Sequence, residues 1–232
     1  LSIRTGYCVN AIMARYHRRS YRRRRSRVSR PTRYPGFPSN KVVSMRYVDA
    51  VQFNHNATGT VLKNFRANSI FDPDQTGGGH QPIGHDQWEV FYNHYVVIGS
   101  KIRVQIAGPT DASSVPLFLA IVLDDTGGSF TSLPNILEQG GAVYTLTNGD
   151  MEQTIVPSLK SHFSAKHFFN VADVKDNVDR IGAPFGSDPA DIASFQVVSG
   201  TMDGAPASQT RFILVTIDYL VLLSEPKTLP AS

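Results

Sequence analysis

The 232-residue chain predicts an all-β fold, a single antiparallel jelly-roll sandwich of about eight strands, preceded by a disordered arginine-rich N-terminal arm. Three observations lead there. Beyond residue 40 the sequence runs in short β-branched and aromatic stretches divided by Gly, Pro, Asn and Asp, the pattern of strands and turns. The few helical stretches do not alternate with strands, which argues against a doubly wound parallel sheet. Charge, finally, is split along the chain: 13 of the 23 Lys+Arg and none of the 19 Asp+Glu lie before residue 47, leaving ten basic against nineteen acidic groups beyond it. The front is thus +13 and the body −9, a separation that the overall +4 conceals.

Composition sets further bounds. With 41% hydrophobic residues most of the chain can bury a core, so disorder throughout is excluded. The one cysteine, Cys8, excludes both a disulfide framework and a cysteine-ligated metal site. No apolar run approaches the roughly 20 residues of a membrane-spanning helix, so no membrane insertion is expected.

Residues 1–12 (LSIRTGYCVNAI) precede Met13-Ala14-Arg15, which reads as a start site directly before the arginines, so 1–12 is expected to be a leader foreign to the native protein. It lacks the apolar stretch of a secretory signal. Residues 13–40 form the arm and its linker, the latter marked by Pro31, Pro35, Gly36 and Pro38; 41–224 form the jelly-roll domain, and 225–232 a short tail.

Within the arm, Arg15, Arg18, Arg19, Arg22, Arg23, Arg24, Arg25, Arg27, Arg30 and Arg33 place ten guanidinium groups in nineteen residues. Guanidinium grips phosphate bidentately and sheds its weak hydration easily, so an all-arginine choice suits nucleic acid. Like charges at this density keep the segment unfolded until a polyanion neutralises it. Tyr16, Tyr21 and Tyr34 are interleaved, and such rings stack on unpaired bases. The same residues serve equally as a nuclear-import signal. A membrane-surface helix is disfavoured because the stretch has almost no apolar face.

The candidate strands are 41–53, 59–65, 95–107, 117–123, 142–147, 159–168, 195–199 and 211–223. In the last, Ile213, Val215, Ile217, Tyr219 and Val221 share one face and Phe212, Leu214, Thr216, Asp218 and Leu220 the other. Both are largely apolar, so the strand is either covered on both sides or turns its outer surface to loops or to a neighbouring subunit. In 95–107, Val96, Ile98, Ile102, Val104 and Ile106 form an inner set that Ser100 interrupts, and Gly99 marks a bulge or a close backbone approach. Short helices are expected over 85–94, where Trp88, Phe91, Tyr92 and Tyr95 recur at three-to-four spacing, and over 131–139, stopped by Gly140-Gly141. Loops 54–56, 72–84 and 172–191 decorate the sandwich.

Catalytic chemistry finds no foothold. The seven histidines include no HExxH, and His80 and His85 flank Pro82 in a loop without a metal-ligand pattern. Asp124-Asp125 leads into ordinary turn residues, Gly77-Gly78-Gly79 lacks the Lys-Ser/Thr of a phosphate loop, and no nucleophile elbow occurs. No catalytic residue, cofactor or metal is therefore assigned. In the body, Lys63, Arg66 and Arg211 are the cations considered for a second nucleic-acid contact.

The segment 80–106 (HQPIGHDQWEVFYNHYVVIGSKIRVQI) resembles a stretch of the capsid proteins of circovirus-like small circular single-stranded DNA viruses. In those proteins a Gln-Pro, a Gly-x-Asp-Gln-Trp, an aromatic cluster and a Tyr-x-Val-x-Gly-Ser-Lys-Ile strand follow in this order. The arginine run after Met13 is similar to that family's amino-terminal arm. The resemblance implies a jelly-roll subunit, about sixty copies of which close into an icosahedral shell, with Arg15 to Arg33 turned inward onto the genome. Its implied partners are viral single-stranded DNA, copies of itself, a nuclear import receptor and a host attachment receptor that the residues do not identify. Its implied locations are the virion and, during assembly, the host nucleus. Ten to thirteen charges on each of about sixty copies would supply roughly 600 to 780 counter-charges for phosphate. The rival reading is a nucleic-acid-binding shuttle or movement protein that forms no shell, and the aromatic cluster of 84–101 is expected to anchor a loop on the core rather than to bind anything.

Overall fold

A computed structural model describes residues 37–55, 59–107, 115–125, 128, 130–138, 140–147, 157–202, 207 and 209–228. The chain divides into two units, 1–31 and 32–232, and the first lies wholly outside the described residues, as does every arginine assigned in the arm.

Among the described residues, nine strands and four short α-helices build the second unit. The strands are β1 (Asn40–Asn54), β2 (Thr60–Arg66), β3 (Tyr92–Ile106), β4 (Leu117–Asp124), β5 (Val143–Thr147), β6 (Ser158–Ser164), β7 (Gly182–Pro184), β8 (Ser194–Gly200) and β9 (Thr210–Pro226). One sheet has the order β1-β9-β3-β6, with β7 also pairing β3; the other has the order β2-β8-β4-β5. Every pairing is antiparallel. Leaving out the three-residue β7, successive strands alternate between the sheets except at β4 and β5, which pair within one sheet, and this is the order of a double Greek key, so the sandwich is a jelly roll.

Between the sheets lies one core. Met45, Tyr47 and Phe53 of β1 meet Phe65 of β2, Leu119 and Ile121 of β4, Phe195 and Val197 of β8, and Ile213, Val215, Ile217, Tyr219 and Val221 of β9. Each such side chain contributes about 1.5–3 kcal/mol by leaving water. Three of its polar members are tied to backbone carbonyls: Tyr219 Oη donates to the Arg66 carbonyl at 2.8 Å, Tyr95 Oη to the Ser187 carbonyl at 2.9 Å, and Ser100 Oγ to the Ala67 carbonyl at 2.6 Å. The serine that interrupts the inner set of β3 is thus a buried tie to the loop after β2.

The structure departs from the sequence reading in four places. The inner set of β3 changes phase, because a bulge between Val97 and Gly99 inserts one residue. Tyr95 and Val97 face the core before it, Ser100, Ile102, Val104 and Ile106 after it, and Ile98 is only half-buried. A side chain on Gly99 would meet the Phe163 carbonyl at 3.0 Å, so the close approach and the bulge coincide. The helix expected over 85–94 is only α1 (His85–Glu89), since pairing of Tyr92 with Pro226 and of His94 with Ser224 draws residues 92–94 into β3. The strand expected over 159–168 stops at Ser164 and turns into α2 (Ala165–Phe168), where Phe163, Phe168 and Phe169 pack edge to face. The loop 172–191 holds a 3₁₀ turn, Val174–Asn177, then α3 (Val178–Ile181) and β7.

Trp88, Phe91, Tyr92 and Tyr95 all pack on the core, so the aromatic cluster anchors α1 and the start of β3. The helix over Leu133–Glu138 covers the outer face of the four-stranded sheet, where Phe118, Ala120, Val122 and Val198 meet Phe130, Leu133 and Ile136. Among the described residues no helix is long and apolar enough to cross a membrane.

Candidate nucleic-acid interface

The two sheets differ in what covers them. No described element packs over the outer face of β1-β9-β3-β6 between the bulge and Ile106, and its side chains are exposed: Phe212 is 50% accessible and Leu220 45%. Strand alternation explains the split, because the residues on the other side of β9 are the ones that fill the core. Antiparallel register then sets the outward residues in rows across the strands. One row reads Arg46, Asp218, Lys101, His162; the next reads Val48, Thr216, Arg103, Lys160; a third reads Ala50, Leu214, Gln105, Ser158. Strands lie about 4.8 Å apart and rows about 6.8 Å apart.

The face is therefore apolar on its β1 and β9 half, with Val42, Val48, Phe212, Leu214 and Leu220 exposed, and basic on its β3 and β6 half. Asp218 is the only carboxylate among the outward residues of these rows, and Arg46 holds it through Nε at 2.6 Å and Nη2 at 3.2 Å. That contact raises the Arg46 guanidinium above its ordinary value. Lys101, Arg103 and Lys160 are exposed, and Arg103 lies directly opposite Lys160, a like-charge juxtaposition that disfavours the bare sheet. Lys101, His162, Ser44 and Leu220 line a shallow groove of about 330 Å³ beside Gly99.

The three body cations considered from sequence are engaged elsewhere. Lys63 Nζ binds Asp74 at 2.8 Å and Thr76 Oγ1 at 2.9 Å. Burial works to raise the Asp74 carboxyl, but Lys63 and the Thr76 donors outweigh it and hold it below the carboxylate range. Arg66 bridges Asp72 at 2.7 Å and Asp188 at 3.3 Å. Arg211 is fully buried between the sheets, where its Nη2 donates to Gln209 Oε1 at 3.2 Å and burial lowers its guanidinium. None of the three presents a free cation to solvent. Composition could not separate them from Lys101, Arg103 and Lys160, because the distinction lies in the carboxylates that the loops bring back to β2 and, for Arg211, in burial.

Elsewhere the polar loops are structural. His80 hydrogen-bonds the Gln81 and Val48 carbonyls, which raise its imidazole, and packs on Tyr47 with ring centroids 4.8 Å apart. Gly79 lies under Tyr47 and Asp74, where a Cβ would come within 2.7 Å of Tyr47 Oη. Asp124 Oδ1 accepts from the Asp125 amide, as expected of a turn. His85, Asp86 and Glu89 gather three ligand atoms within 4.8 Å, an arrangement that the sequence reading did not anticipate. Its His85 is buried, bonded to Asp86 at 3.1 Å and set edge-on to Phe185.

No family model and no curated protein matches this chain. Among solved structures it is similar to Desmodium yellow mottle tymovirus, at 16% identity and a TM-score of 0.45, over 88% of this chain and 99% of that one. It is similar also to the 60-mer capsid protein of BFDV, at 12% identity and a TM-score of 0.46, over 84% and 100% of the two chains. Turnip yellow mosaic virus gives 13% identity and a TM-score of 0.43, over 84% and 99%. The jelly-roll assignment stands on the strand order above, independently of these likenesses.

Proposed function

We propose that this chain is a coat subunit that assembles into a closed shell of about sixty copies and packages circular single-stranded DNA through its arginine arm, which also serves as a nuclear-localisation signal. The observation that carries the reading is the segregation of charge, ten arginines between residues 15 and 33 followed by a stretch, residues 47–232, of net −9. A cationic arm and an acidic body of one chain would also attract each other; an enclosed polyphosphate supplies the arm with a denser counter-charge, by release of condensed counterions. The arm makes backbone contacts, with Tyr16, Tyr21 and Tyr34 adding base stacking, and reads no sequence.

The body suits the other half of the task. An apolar face of exposed Val, Leu and Phe side chains is more than a solitary subunit needs, and such surfaces commonly close against a partner. Deleting residues 14–33 tests the division of labour. The shortened chain is expected to fold and to lose retention of single-stranded DNA, whereas normal nucleic-acid content in particles of that variant contradicts the assignment.

A further inference from the structure

We propose that the basic half of the exposed sheet face, Lys101, Arg103, Lys160 and His162, is a second polynucleotide-backbone site, one that holds phosphates of the strand bound by the arm. The inference rests on the packaging reading and deepens it by adding a contact on the folded sheet to the one made by the arm.

Four features select a polynucleotide as occupant. The first is charge complementarity. Three exposed cations stand together on a body whose net charge is negative, and the one carboxylate of their rows is already held by Arg46. The second is spacing: the cations sit on neighbouring strands and alternate residues, about 5–7 Å apart, so that a chain of separate anions fits them better than a single one. The third is the unrelieved pair of Arg103 and Lys160, set opposite each other across β3 and β6; phosphate placed between them removes the repulsion. The fourth is the groove beside Gly99, where His162 and Leu220 offer a ring and an apolar wall beside Lys101, the combination with which proteins hold unpaired bases next to a tracked backbone.

Acidic loops of another copy would also meet a basic patch, and the test distinguishes the two. Binding of the full-length chain to a fluorescent single-stranded oligonucleotide is measured from low to moderate salt for the wild type, for K101Q/R103Q/K160Q, for the charge-retaining K101R/R103K/K160R, and for K166Q/K175Q, which alters exposed lysines elsewhere. Each lost phosphate contact lowers the slope of log K against log salt by about 0.7, so the triple Gln variant is expected to lose about 2 from its slope. The charge-retaining and distant variants are expected to keep the wild-type slope, and sedimentation of the triple Gln variant to match the wild type. An unchanged slope in the triple Gln variant overturns the site while leaving the arm in place. Loss of assembly with the slope retained assigns the face to contact between copies and likewise overturns it. A wild type that binds no oligonucleotide at all removes the packaging reading together with this one.

Discussion

Replacing Arg66 by methionine separates a structural cation from a nucleic-acid ligand. Arg66 Nη1 reaches both the Asp72 carboxylate and the Asp72 carbonyl at 2.7 Å, while Nη2 reaches Asp188 at 3.3 Å. The guanidinium is 13% exposed and the two carboxylates 29% and 23%. Removing one partner of a fully buried pair costs about 3–5 kcal/mol, and an exposed pair is worth about 0.2–1 kcal/mol. A group this enclosed, facing two acids that would be left unpaired, falls between these limits, at roughly 2–3 kcal/mol. Asp188 also accepts from Ser69, which bonds the buried Tyr95 hydroxyl, so the damage extends into the core. The chain's single tryptophan, Trp88, reports urea unfolding of the unassembled subunit. At a denaturant dependence of about 2–3 kcal/mol per molar the midpoint is expected to fall by about 1 M. A loss under about 0.5 kcal/mol, or weakened DNA binding at unchanged stability, would refute the reasoning and return Arg66 to the surface as a ligand.

Two further predictions concern the core. Tyr219→Phe deletes the hydroxyl that serves the Arg66 carbonyl and leaves that acceptor without its donor between the sheets, so it is expected to cost about 1–3 kcal/mol by the same unfolding measurement. His55 is fully buried, and burial, reinforced by nearby Arg211, lowers its imidazole although the Ser199 and Gln209 carbonyls oppose the shift. Its folded pKa is therefore depressed below 6.5, so protons favour the unfolded chain; its contribution is complete above pH 6.5 and is lost as pH falls below it, by at most about 1.4 kcal/mol per pH unit. The difference between wild type and His55→Leu across pH 7.5 to 4.5 isolates this group, and parallel stability curves would count against it.

The sequence made the architecture legible because a jelly roll writes its strands with period-two alternation, and β9 shows that alternation over ten residues from Phe212 to Val221. Where the reading slipped, a local device competed with the pattern. The bulge at Gly99 inverted the faces of β3, and the edge-to-face cluster of Phe163, Phe168 and Phe169 turned an apparent strand end into a helical turn. The exposed basic patch stayed hidden for another reason. Lys101 and Arg103 are two residues apart in sequence, but Lys160 and His162 join them only through the register of β3 with β6, strands that β4 and β5 separate in the chain. Equally, nothing in the composition marks Arg66 and Lys63 as neutralised, since Asp72, Asp74 and Asp188 come back to them from loops. The ten arginines of the arm were legible as charge alone, and they lie outside the described residues.

The central claim is that an acidic jelly roll self-associates around the polyanion that its arm neutralises. Sedimentation of the purified full-length chain with circular single-stranded DNA at low ionic strength, with electron microscopy of the fastest fraction, tests it most directly. The account predicts closed particles containing DNA, formed less readily as salt is raised. A chain that binds the DNA yet sediments as a monomer or a small oligomer under those conditions would contradict it.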